Sequence, residues 1–584
     1  MVNSNDYPEV LPVNRPKSFP GLKVGVILDE FSLRAWTPEF DTVLLTPSGW
    51  RDELANEPID LLFVESAWAG NHGAWLYQMT GSKAPRQDLI DLVEHCKRES
   101  IPTVFWNKED PSHFEDFIDT AKLFDVVFTT DSTLIPQYQE ILGHDRVDSL
   151  SFAAQPSVHN PIRIRGLDQS EDMAFAGMYF KHKFPERREQ MDMLFGAAVR
   201  VVNRGEYGFD IFSRHHGGNE NYQFPQPYDK HVVGALPYEK MLAAYRNYKV
   251  FLNVNSVTDS PSMCARRVFE ILASGTPVVS GESAAIPEFF DPDQVPLVTD
   301  ERTAAYVLRS VLNSPQARDR MVHKAQREIW NNHTYAHRAA KVLDTVGLKV
   351  QSPFLAPSSV SAIVSTNRPE FVHHAIDAVA AQKEVQPELV MLTHGFHANV
   401  AELKAYAADQ GIEHFTLLYA PASEPLGSCL NQLVAVSSGD VIANFDDDDF
   451  YGAYYLHDSL NAMKFANADL VGKFATYMYS ASDDMVTLRN PGKENMFTDF
   501  ITGATFVGRR EVFTSNPFMP VTGGEDSRFL DSVEQSGAGI FAGDRFNFMQ
   551  IRGKHAHTWH VDHLELYANS VIETYGRNTQ HVEI

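Results

Sequence analysis

The sequence predicts an α/β protein: a module of two Rossmann-like domains, followed across a linker by a third nucleotide-binding-type domain. Three observations predict it. Short apolar runs of strand length alternate with helix-like stretches, the pattern of parallel sheets covered on both faces. The alternation restarts after Asn160 and again after Ser359. The chain has 584 residues, more than one hydrophobic core can usefully organise.

The elements follow in order. Residues 1–20 are polar and proline-rich and read as an N-terminal extension, too polar for a signal peptide. Residues 21–160 form the first domain, with GLKVGVILD, IDLLFVES, IPTVFWN and FDVVFTT as strands and APRQDLIDLVEHCKRES as a helix. Residues 161–346 form the second. Its strands are DMAFAGMY, AVRVVNRG, KVFLNVN and TPVVSG, its helices lie at Tyr238–Tyr248 and Arg266–Ser274, and a helical segment closes it from Glu301 to about Thr345. The Gly/Pro/Ser-rich stretch 347–359 is the linker. Residues 360–584 then supply VSAIVSTNRP, PELVMLTHG, FTLLYAP and DVIANFDDDD.

Bulk properties exclude several classes of function. A net charge of -26 speaks against wrapping nucleic acid, which needs a basic surface to displace counterions. The three cysteines, Cys96, Cys264 and Cys429, are far apart and form no CxxC pair, so neither a disulfide framework nor a zinc site is expected, and a reducing cytoplasm fits. No stretch of ~18 apolar residues is present to span a membrane. Peripheral attachment to the inner face of the membrane stays open.

The acidic run Asp446–Asp449 directly follows a buried-strand pattern, so its carboxylates are delivered to a crevice at the strand's end. Four adjacent carboxylates repel, and a hard cation, Mn²⁺ or Mg²⁺, would offset that repulsion. Around this run the segment from about Ser359 to His563 resembles a family-2, GT-A-type glycosyltransferase. SAIVSTNRP resembles the nucleotide-binding loop, GDVIANFDDDD the DxD segment, GGEDSRF the motif carrying the catalytic base, and HAHTWH a late metal-binding segment. The resemblance implies a metal-dependent, inverting transfer from a nucleotide-sugar donor. Asp446 and Asp448 would hold the metal with His560, or with His557 in its place. Thr366, Asn367, Arg368, Asp446 and Asp447 would bind the donor. Asp526 would be the base, and Glu525 would contact the acceptor or orient the site. Which of Asp447 and Asp449 faces the metal stays open. MLTHGF, with His394, stands where relatives carry an acidic motif.

Residues from about Gly21 to Leu348 resemble a GT-B glycosyltransferase of the CgeB-like, spore-maturation-protein group. FWNKEDPSHFEDF, FDVVFTTD, MAFAGMYF and RRVFEILASGTPVVSG carry the likeness. It implies a second donor site. Glu270 would hold the ribose, Arg267 the diphosphate near a helix N-terminus, Gly275 the turn after the helix, and Gly177, Lys181 and Lys183 the neighbouring strand end. Ser262 stands where many retaining relatives have a glutamate. Glu109, Asp110 and His113 are candidate cleft residues.

Together the two resemblances imply a bifunctional hexosyltransferase-type enzyme that adds sugars to a glycan or lipid-linked glycan, as in bacterial surface polysaccharide or glycolipid synthesis. Two other readings stay open: a catalytic C-terminal module beside an acceptor-binding or scaffold module, and a non-catalytic carbohydrate-binding protein on transferase folds.

Overall fold

The computed structural model describes residues 6–205, 207–553 and 566–584. The chain divides into two compact units, the first running to Pro161 and over Arg165–Ala356, the second comprising Ile162–Ile164 and Pro357–Ile584.

The first unit holds two parallel sheets. One contains β1 (Lys23–Ile27), β2 (Asp41–Leu44), β3 (Leu61–Glu65), β4 (Thr103–Asn107), β5 (Val126–Thr129) and β6 (Val147–Ser149), in the order β2-β1-β3-β4-β5-β6. The other contains β7 (Glu171–Ala176), β8 (Phe209–Phe212), β9 (Val232–Gly234), β10 (Tyr248–Asn253), β11 (Val278–Gly281) and β12 (Leu297–Val298), in the order β12-β11-β10-β7-β8-β9. The strand order of the second sheet reverses between β7 and β10, where Ala174 pairs with Phe251. The carboxyl ends of these two strands therefore open a crevice, where ligands of such sheets bind.

The second unit carries β13 (Val360–Thr366), β14 (Glu388–His394), β15 (Phe415–Ala420) and β16 (Val441–Asn444), all parallel, with the reversal between β13 and β16. After β17 (Phe450–Tyr451) come β18 (Leu470–Gly472), β19 (Thr476–Ser480), β20 (Met485–Arg489), β21 (Met496–Phe497), β22 (Val507–Arg509), β23 (Ile540–Ala542), β24 (Phe548–Arg552) and β25 (Ser570–Tyr575). Strands β22, β18, β23 and β21 extend the parallel sheet into a mixed one, and β17, β24, β19, β20 and β25 form a second sheet.

Two expectations are corrected. AVRVVNRG is not a strand: it ends the helix Pro185–Val202, whose buried residues Arg187, Gln190, Met191, Leu194, Phe195, Ala198 and Val201 fall at helical spacing. Its β-branched residues invite a strand reading when taken without the turns before them. The closing helical segment is three helices, Glu301–Asn313, Pro315–Asn332 and Tyr335–Thr345, and the last packs on the first sheet rather than the second. There Tyr335 meets Trp36 edge to face at 5.1 Å, and Arg338 donates to the carbonyls of Ser151 and Phe152. Of the N-terminal extension, residues 6–20 are described: Phe19 is in the core and Arg15 forms a buried ion pair with Glu39 at 3.2 Å. Within 347–359, Leu348 and Leu355 pack against the first unit's core, and the ring of Phe354 lies 4.3 Å from the Arg15 guanidinium.

Candidate functional sites

In the first unit, a cavity of about 460 Å³ opens at the β7/β10 reversal. Ala176 and Gly177 line it from the end of β7, Val254 and Asn255 from the end of β10, Phe31 from the helix Glu30–Trp36 and Phe152 from the segment after β6. Its size is that of a small-molecule site. Four arginines line it, Arg187, Arg214, Arg266 and Arg267, and among the described residues no carboxylate does. Arg187, the third residue of its helix, is buried and donates only to the Val254 carbonyl at 3.2 Å and the Ser256 hydroxyl at 3.3 Å. Its Nε has no partner. Burial, with Arg267 nearby, lowers its pKa to about 9, the mark of a cation held without a counter-ion. Arg267 donates to the Ala176 carbonyl at 2.6 Å. Arg266 stacks 4.1 Å over Phe31 and pairs with Glu270 at 2.9 Å. Arg187, Arg266 and Arg267 all stand in first turns of helices, where the helix dipole also favours an anion.

Behind Arg266 lies a buried polar group. Glu270 is 2% exposed, its second carboxylate oxygen has no partner, and His159 stands 3.7 Å away. His159 Nδ1 accepts from the Gln155 amide at 3.0 Å, so Nε2–H donates to the Tyr238 hydroxyl at 2.7 Å. Burial holds the imidazole pKa down at about 4.

Of the expected residues, the structure brings Gly177 and Arg267 to this cavity. Glu270 does not line it, and its carboxylate pairs with Arg266 one turn back. Lys181 and Lys183 are exposed and do not line it. Gly275, with φ +89°, sits at the opposite end of its helix against Pro161. Asp110 is a core residue, accepting from Asn107, Thr129 and Tyr138, and burial raises its pKa to about 7. Glu109 lies beside Lys108 at 3.7 Å, and His113 pairs with Asp116 at 2.7 Å. Ser262 receives the Ser132 amide and donates to the Thr130 carbonyl, joining the two sheets' loops. Sequence reasoning missed Arg187, Arg214 and Arg266. The signal available was the RR doublet opening a helix.

In the second unit, the acidic run occupies the β13/β16 reversal. Thr366, ending β13, donates to Asp447, and Arg368 pairs with Asp447 through two nitrogens and with Asp448 at 2.8 Å. Asp447 is thus buried and fully engaged. Thr366, Arg368 and Asp447 are thus engaged with one another, while Asn367 is exposed. Asp449 accepts from the Ile551 amide at 2.8 Å, and its other oxygen is buried without a partner. Burial and then Asp448 raise the Asp449 pKa to about 8.

Asp446 is solvent-exposed although set deep among protein atoms. Its amide donates to the Tyr451 hydroxyl at 2.8 Å, and that hydroxyl donates to the Ala504 carbonyl at 2.7 Å. The turn Gly503–Thr505 is also held by Asn444, which donates to the Gly503 carbonyl at 3.0 Å. Asp526 presses on the same turn: a Cβ at Gly503 would lie 1.8 Å from its Oδ2. Asp526 stands in the first turn of the helix Glu525–Gln535, and Glu525 accepts from the Gly523 amide at 2.7 Å. Burial and then Asp449, Asp526, Asp448 and Asp447 push the Asp446 pKa well above the carboxylate range. Burial and Glu525 raise that of Asp526 to about 7.

Among the described residues no three His, Cys, Asp or Glu side chains are grouped as a metal cage. His560 and His557 lie outside the described residues. The donor set still fits a hard cation that is shared with a diphosphate, because such ions take one or two carboxylates and draw their other ligands from phosphate and water. The exposed Asp446 and the neighbouring Asp448 offer those oxygens. Among the described residues no helix is long and apolar enough to cross a membrane.

Comparison with curated proteins finds no match. Similar solved structures include the mannosyltransferase PcManGT from Pyrobaculum calidifontis in complex with GDP-Man and Mn²⁺, at 16% identity over 34% of this chain and 58% of that one, TM-score 0.28. Another is S. aureus TarS 1–349 in complex with UDP-GlcNAc, at 13% identity over 36% of this chain and 64% of that one, TM-score 0.28. The chain thus spans less than two thirds of either. Residues 192–344, which include Arg214, Arg266 and Arg267, match the model of a family described as glycosyl transferase-like.

Proposed function

We propose that this chain is a nucleotide-sugar-dependent glycosyltransferase acting on a glycan or lipid-linked glycan, with a GT-B-like donor-binding module and a GT-A-like, metal-dependent, inverting catalytic module. The observation that carries this reading is the convergence of Asp446 and Asp526 on the turn Gly503–Thr505. Glycosyl transfer separates charge, with a cationic sugar and an anionic leaving diphosphate, and it needs a base for the acceptor hydroxyl. Asp526 is that base, a carboxyl that loses its proton near neutrality. Glu525 holds the start of its helix by accepting from Gly523. Asp446 and Asp448 would hold Mn²⁺ or Mg²⁺, which would supply Lewis-acid stabilisation of the leaving diphosphate.

In the first unit, Arg187, Arg214, Arg266 and Arg267 neutralise the diphosphate of a nucleotide, with Gly177 allowing close approach at the end of β7. A second reading makes this module a binding rather than a transferring domain. The placement of Glu270 favours it, since its carboxylate is turned onto Arg266 and not into the cavity.

Hydrolysis of a panel of nucleotide sugars by the full chain, with and without Mn²⁺, tests the proposal. Turnover by wild type that vanishes in Asp526→Asn is expected. Turnover in Asp526→Asn that instead vanishes in Arg187→Gln would move catalysis to the first unit.

A further inference from the structure

The helices Pro185–Val202 and Glu301–Asn313 pack side by side on the second sheet. Near the C-terminal end of the first they bring together Arg200, Arg204, Arg302 and Arg309 around Tyr306, lining a shallow recess of about 20 Å³. Tyr306 is 54% exposed, and Arg302 lies 5.8 Å from its ring. Arg200 pairs loosely with Glu301 at 3.7 Å, and both side chains are largely exposed. Among the described residues, no carboxylate pairs with Arg204, Arg302 or Arg309.

Four guanidinium groups around one recess repel one another unless an anion shares them, and this occurs on a chain whose net charge is -26. An ordinary solvated helix face on so acidic a protein would interleave acids with these arginines, whereas here only the exposed Asp300 and Glu301 at the helix start stand near them among the described residues. The recess is too small for a nucleotide but open enough for the oxygens of one phosphate group. Guanidinium forks match those oxygens two at a time. The site is separate from the arginine-lined cavity: Arg187 and Arg200 are on one helix, thirteen residues and hence ~20 Å apart along its axis.

We propose that Arg200, Arg204, Arg302 and Arg309 form a second anion site, specific for a phosphate group that is either free or presented as the headgroup of an anionic lipid surface. Its occupant is not the sugar donor, and the proposal does not depend on the donor reading of the cavity.

The test uses the full chain as wild type, Arg204→Gln, the double variant Arg204→Gln/Arg302→Gln, and Arg187→Gln as the cavity control. The first two positions are exposed, and thermal melts verify that the variants fold. Co-sedimentation with phosphatidylglycerol vesicles, against phosphatidylcholine vesicles, reads the lipid source. Calorimetry with inorganic phosphate at low salt reads the free source. If the source is lipid, wild type binds only the anionic vesicles, and partitioning falls roughly five-fold for each arginine neutralised, about 30-fold in the double variant, with Arg187→Gln unchanged. If the source is free phosphate, the double variant loses a phosphate-binding event that Arg187→Gln retains, while vesicles bind no variant. A double variant indistinguishable from wild type in both assays overturns the proposal.

Discussion

Arg368 donates to Asp448 at 2.8 Å while also gripping Asp447, so one guanidinium neutralises two members of the acidic run. A cation entering between Asp446 and Asp448 would compete with it. Arg368→Ala is therefore expected to leave the buried Asp447 uncompensated and to lower the unfolding temperature markedly, since removing one partner of a buried pair costs about 3–5 kcal/mol. Mn²⁺ should recover more of that loss in the variant than it adds to wild type. Thermal melts with and without Mn²⁺ measure both; equal stability of the two proteins would refute the clamp.

The turn at Gly503 gives a sharper prediction. An added methyl would lie 1.8 Å from the Asp526 carboxylate, so Gly503→Ala must displace the turn or the acid. Either movement takes the base out of place. Turnover should drop by at least the ~10²-fold typical of lost general-base catalysis, with donor affinity little changed. Wild-type turnover would mean that Asp526 is not held against this turn during the reaction.

Much of this arrangement was legible in the chain. The runs LLFV at 61–64 and VVF at 126–128 are apolar throughout, as a short strand buried on both faces requires. The acidic run stands directly behind such a strand, which placed it at a crevice. The misreadings share a cause. Spacing along a helix does not say which of its residues line a cavity, so Arg266 escapes notice although it lines this one with Arg267. Nor does local pattern say which sheet a helix reaches, and Tyr335–Thr345 crosses to the first because Trp36 and Trp106 offer an aromatic pocket there. The part played by Arg368 was hidden because an ion pair across 80 residues leaves no local signature.

The cavity predicts a binding effect. Arg187→Gln keeps a donor for the Val254 carbonyl but removes the unpaired charge, so affinity for a nucleoside diphosphate should fall. Hydrogen bonds to charged groups are worth about 1.5–3 kcal/mol, or roughly 10- to 150-fold. Calorimetry with UDP and GDP on the full chain measures it. The variant should be no less stable than wild type, because an uncompensated buried cation is being removed.

His159 sets a pH dependence whose sign is fixed by its lowered pKa. The folded state holds the neutral ring down to about pH 4, whereas the unfolded chain protonates it near 6.5. Between these values the unfolded state binds more protons, so stability falls as pH drops through that window, by on the order of 3 kcal/mol in all. His159→Gln should lose this contribution. Urea unfolding at pH 7 and pH 4.5 should therefore separate the two proteins less at the lower pH; a constant difference would exclude His159 as its source.

Metal and base should separate in the second unit, and comparing two isosteric variants guards against blaming misfolding. Asp448→Asn removes a charge that would hold the cation but keeps a side-chain oxygen facing Arg368, so the fold should survive. Mn²⁺-dependent donor binding should weaken. Asp526→Asn removes the proton acceptor and leaves Asp446 and Asp448, the carboxylates that would hold the cation, in place. Donor affinity with Mn²⁺ should persist there while transfer falls by about 10²- to 10⁴-fold. Isothermal titration with Mn²⁺ and nucleotide sugar, beside single-turnover transfer and thermal melts on both proteins, gives the comparison. Near-normal transfer by folded Asp526→Asn would shift the base to Glu525, and unchanged Mn²⁺-dependent binding by Asp448→Asn would leave Asp446 and Asp449 as the carboxylates to examine for the cation.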